Sequence, residues 1–157
     1  MFTIGDKIVY PMHGAGTIVS IEKEEVLGKE KDYYIILMPI NKMRVMVPVD
    51  MAQEVGVREV SDDEIIDEVL EILSEKEDKM PTNWSRRYRK NLDKIKGGDI
   101  CEIAEVVRNL QAMHEEKGLS TGEKKMLDNA VQILSSEIAL VKDIGETEAM
   151  ELIFDTH

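Results

Sequence analysis

The chain has 157 residues, 43% of them hydrophobic and 33% charged, with 32 acidic against 20 basic side chains and a net charge of −12. That balance fits one domain or two small ones with a buried core and excludes a broadly disordered chain; the acidity argues against general coating of DNA. The single cysteine excludes an internal disulfide and a cysteine-built zinc site, and with neither a signal peptide nor an apolar run of roughly 20 residues the reading is a cytoplasmic protein without a membrane segment.

Residues 1–60 read as strands and turns. Lys7–Tyr10 is a short apolar run ended by Pro11. His13-Gly14-Ala15-Gly16 reads as a turn, because glycine reaches positive φ without steric cost. Thr17–Ile21 is rich in β-branched residues, and Leu27-Gly28-Lys29 turns the chain into the run Asp32–Met38, closed by Pro39. Ile40-Asn41-Lys42 turns again into Met43–Val47, closed by Pro48. Short strands at this spacing predict a small, strongly twisted antiparallel barrel. Its length is thin for an independent core, so it should lean on a helix or a partner.

From Ser61 the period becomes helical. Ser61 with Glu64 has the form of a capping box, and Ile65, Ile66, Val69, Leu70 and Leu73 share one face. After the charged connector Glu75–Lys79, Pro81 restarts the chain. A second helix runs from Trp84 to the region of Lys96 and stops at Gly97-Gly98. Asp99 caps a third, with Ile100, Ile103, Ala104, Val107, Leu110 and His114 on its face. Ser120 with Glu123 opens a fourth, carrying Leu127, Ala130, Val131, Leu134, Ile138 and Val141, and a tail helix covers Thr147–Phe154. The fold class is α+β: a small antiparallel barrel in residues 1–58, then an all-α bundle in 59–157, with the first helix as the bridge.

Residues 81–96 break the acidic trend. They hold six cations, Arg86, Arg87, Arg89, Lys90, Lys94 and Lys96, against one acid, Asp93, and include the only tryptophan. That combination suits nucleic-acid contact through phosphate charge and an apolar side chain. At ~100° per residue, Trp84, Tyr88, Leu92 and Ile95 form one stripe and the cations spread over the opposite arc. An ordinary amphipathic helix with a solvated face gives the same pattern, and for a generic helix it is the commoner case. Three features favour an anionic partner. The charges are of one sign, where exposed faces usually mix signs. Four of the six lie in the first half of the helix, the end at which its dipole disfavours cations. That end also offers backbone N–H groups to a phosphate. Trp84, with Thr82 or Asn83 as N-cap, fits two positions equally well: the top of the buried stripe, or an exposed first turn from which an indole can wedge between bases or stack on them.

The segment Pro81-Thr82-Asn83-Trp84-Ser85-Arg86-Arg87-Tyr88 resembles the signature of the CarD/CdnL family of bacterial transcription regulators. Gly5–Gly14, Val47-Pro48, Val55–Arg58 and Gly118–Lys124 agree with that family in order and spacing. The opening segment alone is shared with the polymerase-binding module of transcription–repair coupling factors; the tryptophan segment joined to the helical half is the specific part. The resemblance implies that residues 1–58 form a Tudor-like (SH3-like) barrel that binds the β subunit of RNA polymerase, and that residues 59–157 touch promoter DNA. It implies an exposed Trp84, wedged into the minor groove at the upstream edge of the open bubble, with Arg86, Arg87, Arg89 and Lys90 on the backbone. The polymerase contact would come from Arg44, Val45 and Met46. Some family members carry arginine where this chain has Met46; Arg44 lies two residues earlier on the same strand face. No cofactor, small-molecule substrate or membrane partner is implied. With about four phosphates contacted, log K would fall against log salt with a slope of roughly −3.6.

Two rival readings remain. A protein adaptor would bind polymerase through the barrel and another protein through the helices, without touching DNA. An enzyme would draw on His13, His114 or Cys101, whose thiol on the first turn of a helix is expected to be acidified. No Gly-rich phosphate loop or paired metal ligands support the enzyme.

Overall fold

The computed structural model describes residues 1–39 and 42–155, so Ile40 and Asn41 of the predicted third turn lie outside it. The N-terminal half is a sheet of five antiparallel strands: β1 (Lys7–Tyr10), β2 (Gly14–Val26), β3 (Lys29–Leu37), β4 (Arg44–Pro48) and β5 (Arg58–Glu59), in the order β4-β3-β2-β1-β5. The predicted barrel is not closed: β4 and β5 are the two outer strands, and β5, only two residues long, pairs with β1 alone among the described residues. Alternation along the strands buries Ile8, Ile18, Tyr34, Ile36 and Val47, with Met38, Ala52 and Val57 completing the core. Beyond the sheet, β2 and β3 continue as an exposed ribbon out to the pair Val26↔Lys29.

The first turn lies at Pro11–His13, and Gly14-Ala15-Gly16 are strand residues. Their glycines answer to packing. Gly14 takes φ +106, and a Cβ there would lie 2.8 Å from the Ser136 hydroxyl; a Cβ on Gly16 would lie 2.7 Å from Ile36 Cγ2.

Among the described residues five helices follow: α1 (Asp63–Ser74), α2 (Trp84–Gly97), α3 (Ile100–Glu116), α4 (Thr121–Lys142) and α5 (Glu146–Asp155). Asp62, and not Ser61, caps α1, its carboxylate accepting from the Ile65 N–H. The Ser61 N–H is directed instead to Glu137, at 2.8 Å. Ile66, Val69, Leu73, Ile103, Leu110, Leu134, Ile138 and Ile153 are central to the bundle core. The charged connector after α1 is tied down: buried Arg108 donates to Asp78 Oδ2 (2.7 Å), and Asn109 Oδ1 accepts from the Asp78 N–H (2.9 Å).

The sheet leans on α4, which displaces α1 from its expected role as the bridge. Arg58 donates to both carboxylate oxygens of buried Glu137 (2.8 and 3.0 Å) and to the Gly98 carbonyl (2.9 Å). The Ala15 N–H donates to Ser136 Oγ at 2.8 Å, and Lys7 Nζ to the Leu140 carbonyl at 2.9 Å. Met12 packs against the helical core.

Candidate nucleic-acid interface

Asn83 opens α2: its backbone is extended and its side chain accepts from the Arg86 N–H at 3.0 Å. Trp84 therefore stands at the first helical position, where the chain leaves the connector. Trp84 is 45% exposed. One face of its indole stacks on Tyr88, one turn along, with ring centroids 5.0 Å apart and planes 18° from parallel. The Nε1–H donates to Ser120 Oγ at 3.0 Å, and Gly122 lies close to both rings. The ring is thus braced at the rim of the bundle, neither sealed in the core nor free in solvent.

Arg86, Arg89 and Lys90 are exposed, and with Asn83, Ser85 and Asp93 they line a shallow open depression on the outer flank of α2. Spacings of three and four residues put these cations on one face. Lys94 is drawn toward Glu105 at 3.7 Å.

Arg87 does not belong to that face, which corrects its placement on the solvated arc. It is 7% exposed. Its Nε and Nη2 donate to the two oxygens of Glu123 (2.7 and 3.1 Å), and its Nη1 to the carbonyls of Pro81 and Thr82 (3.3 Å each). Glu123 is 2% exposed, and a carboxylate so deep needs a cation. The hydrogen bond from Arg87 holds the Glu123 carboxyl below its ordinary range, against the opposing effect of burial, with Ser120 helping; the same bond raises Arg87. The buried flank of α2 is accordingly Arg87, Asn91 and Ile95, with Tyr88 and Leu92 half-buried beside it.

The other predicted patch lies on β4. This strand pairs with β3 and is outermost in the sheet. Arg44 and Met46 are exposed, whereas Val45 is half-buried against the sheet core. Met46 (46% exposed) joins Met43 and Met51 in a set of exposed methionines around this edge.

Two family models match the chain: "CarD-like/TRCF RID domain" over residues 2–61 and "CarD, C-terminal domain" over residues 68–154. The chain belongs to the CarD/CdnL family. The Bacillus subtilis (strain 168) protein "Putative transcription factor YdeB" is 46% identical over 148 residues, covering 94% of this chain and 97% of that protein. This CarD-family chain is accordingly a transcription regulator.

Ser120 and Glu123, which contact Trp84 and Arg87, were not among the expected site residues. Their capping box was readable, and it forms: Ser120 Oγ accepts from the Glu123 N–H at 3.2 Å. What local pattern could not show is that the same hydroxyl reaches Trp84. Burial pushes the Cys101 thiol up, reinforced by Asp99, Glu68, Glu105 and Glu137, which overturns the expected acidification. His13 is exposed against the Tyr10 ring, and His114 is exposed on α3. Among the described residues no group of three or more His, Cys, Asp or Glu side chains could hold a metal ion, and no helix is long and apolar enough to cross a membrane.

Proposed function

We propose that this CarD-family regulator binds the β subunit of RNA polymerase through the open edge of β4 and stabilises the open promoter complex through Trp84. The indole enters the minor groove at the upstream edge of the bubble, and Arg86, Arg89 and Lys90 hold the backbone. The observation that carries this reading is a half-exposed tryptophan braced at the head of a helix whose outer flank presents the exposed cations Arg86, Arg89 and Lys90, with Lys96 exposed further along. Arg87 drops out of the phosphate contacts and becomes part of the scaffold.

Wedging costs a few kcal/mol of unstacking, less where the duplex already ends in a bubble. A ligand that prefers the open state shifts the population by its differential affinity. Three phosphate contacts are too weak to recruit an acidic protein, so tethering to polymerase supplies the local concentration. A strand that is outermost among the described residues offers backbone groups for β-augmentation, Arg44 and Met46 lie on it, and methionines adapt to an irregular partner surface.

The test is open-complex lifetime with purified polymerase. Trp84→Ala shortens the lifetime and leaves polymerase binding intact. Loss of both would make Trp84 a structural residue. An unchanged lifetime would refute the wedge and leave an adaptor that does not touch DNA.

A further inference from the structure

We propose that Ser120, Glu123 and Arg87 form a positioning relay that fixes Trp84 in its wedging pose before DNA arrives. The proposal rests on the reading of Trp84 as the wedge. It makes three residues part of the interface although none of them needs to touch DNA.

The polarity of the relay follows from counting donors and acceptors. An indole N–H only donates, an ionised carboxylate only accepts, and a hydroxyl has one proton and two lone pairs. Ser120 Oγ lies 3.0 Å from Trp84 Nε1, 3.2 Å from the Glu123 amide nitrogen and 3.1 Å from Glu123 Oε1. It must accept from the first two and donate to the third, so the hydroxyl is fully committed. Glu123 then accepts from Ser120 and from the Arg87 fork. Arg87 in turn donates to the carbonyls of Pro81 and Thr82, in the segment that leads into Trp84. The contacts close a ring: indole, serine, glutamate, arginine, and back to the chain that carries the indole. Tyr88 walls the indole face.

A plain buried ion pair would need no such outlet. The relay ends on the edge of a half-exposed ring, where it contributes little to the core and much to orientation. A side chain already held in its bound rotamer loses less freedom on binding. An indole released from the relay should therefore weaken the wedge by roughly three- to tenfold.

Trp84 is the only tryptophan, so fluorescence of the full-length protein reports on this ring alone. Ser120→Gly removes the hydroxyl while keeping a tolerated N-cap, and Ser120→Thr keeps the hydroxyl. In Ser120→Gly, emission anisotropy should fall, iodide quenching should rise, and open-complex lifetime should shorten by roughly three- to tenfold with polymerase affinity unchanged. Ser120→Thr should behave as wild type. In a Trp84→Phe background, which has no N–H to hold, Ser120→Gly should shorten the lifetime no further. Persistence of the effect there would mean that the substitution acts through α4 stability, and would overturn the relay. So would a Ser120→Gly protein with unchanged anisotropy, or one with lowered anisotropy and an unchanged lifetime. Trp84→Ala, run alongside, separates the two ideas: no effect of Trp84→Ala sinks the wedge itself, whereas an effect of Trp84→Ala without one of Ser120→Gly sinks only the relay.

Discussion

Arg86 and Arg87 are neighbours of identical chemistry, yet one is exposed and the other buried. Helical periodicity assigned both to a polar arc, because Arg87 looks polar until Glu123 is placed beside it. That partner lies 36 residues away and was already accounted for as the N3 glutamate of the capping box that Ser120 opens. Removing Arg87 leaves a buried carboxylate without its cation, so Arg87→Ala should cost about 3–5 kcal/mol in chemical denaturation. Arg86→Ala should stay within about 0.5 kcal/mol. The division also changes the salt dependence that the protein adds to promoter binding. With Arg86, Arg89 and Lys90 alone on phosphates, the added slope of log K against log salt should be about −2.7, and a value of about −3.6 would return Arg87 to the DNA. Glu123 adds a pH test. Its folded carboxyl titrates below its ordinary value, chiefly through the Arg87 hydrogen bond, so the ionised pair contributes stability that is fully present above the unfolded value near 4.5. That contribution is lost as pH falls through the lowered folded value. The thermal midpoint of wild type should therefore drop more steeply below about pH 4.5 than that of Glu123→Gln, and the two profiles should run parallel from about pH 5 to 8.

Where local signals were strong, the elements were readable. Asn83, Asp99 and Ser120 cap α2, α3 and α4, and Gly98 ends α2 at φ +78, because each signal acts within a few residues of the backbone it controls. β1 was readable for the same reason, bounded by Pro11. β5 was not, since two residues carry no period. Gly14-Ala15-Gly16 was misread because its glycines serve a contact with Ser136 and the pleat of β3, neither of which is written in the local pattern. The tip of the β2–β3 ribbon was placed correctly, yet its chemistry is unusual. Leu27 and Gly28 both take positive φ, +53 and +77, in a two-residue hairpin turn that favours Asn-Gly. Leu27 is 99% exposed, so no packing offsets the left-handed backbone. Leu27→Asn should raise stability by about 0.5–1 kcal/mol, seen as a higher denaturant midpoint with an unchanged slope. A lower midpoint would mean that the leucine stabilises the ribbon in some other way.

The two halves of the chain meet chiefly along one long helix, with Arg58 also bonded to the Gly98 carbonyl at the end of α2, and this sets the geometry of the proposed action. α4 has 22 residues, about 33 Å of helix. Its N-terminal cap holds the edge of Trp84, and its second half, through Ser136, Glu137 and Leu140, receives the sheet that carries the β4 edge. Sequence pattern alone placed this joint at α1, because the change of period falls there; the contacts that make α4 the strut join residues 76 or more positions apart. In the proposed action, such a strut would fix the distance between the β4 edge offered to polymerase and the Trp84 ring offered to the bubble. Arg58→Met tests it. Glu137 would stay buried without its fork, which should cost about 3 kcal/mol, and pairing the change with Glu137→Met should recover much of that loss, since two apolar side chains leave no stranded charge. At a temperature where Arg58→Met remains folded, it should bind polymerase as wild type does and prolong the open complex less, because the wedge is no longer held at a set separation from the anchor. A folded Arg58→Met protein with full effect on lifetime would mean that the remaining contacts, Ala15 with Ser136 and Lys7 with Leu140, suffice to hold the strut in place.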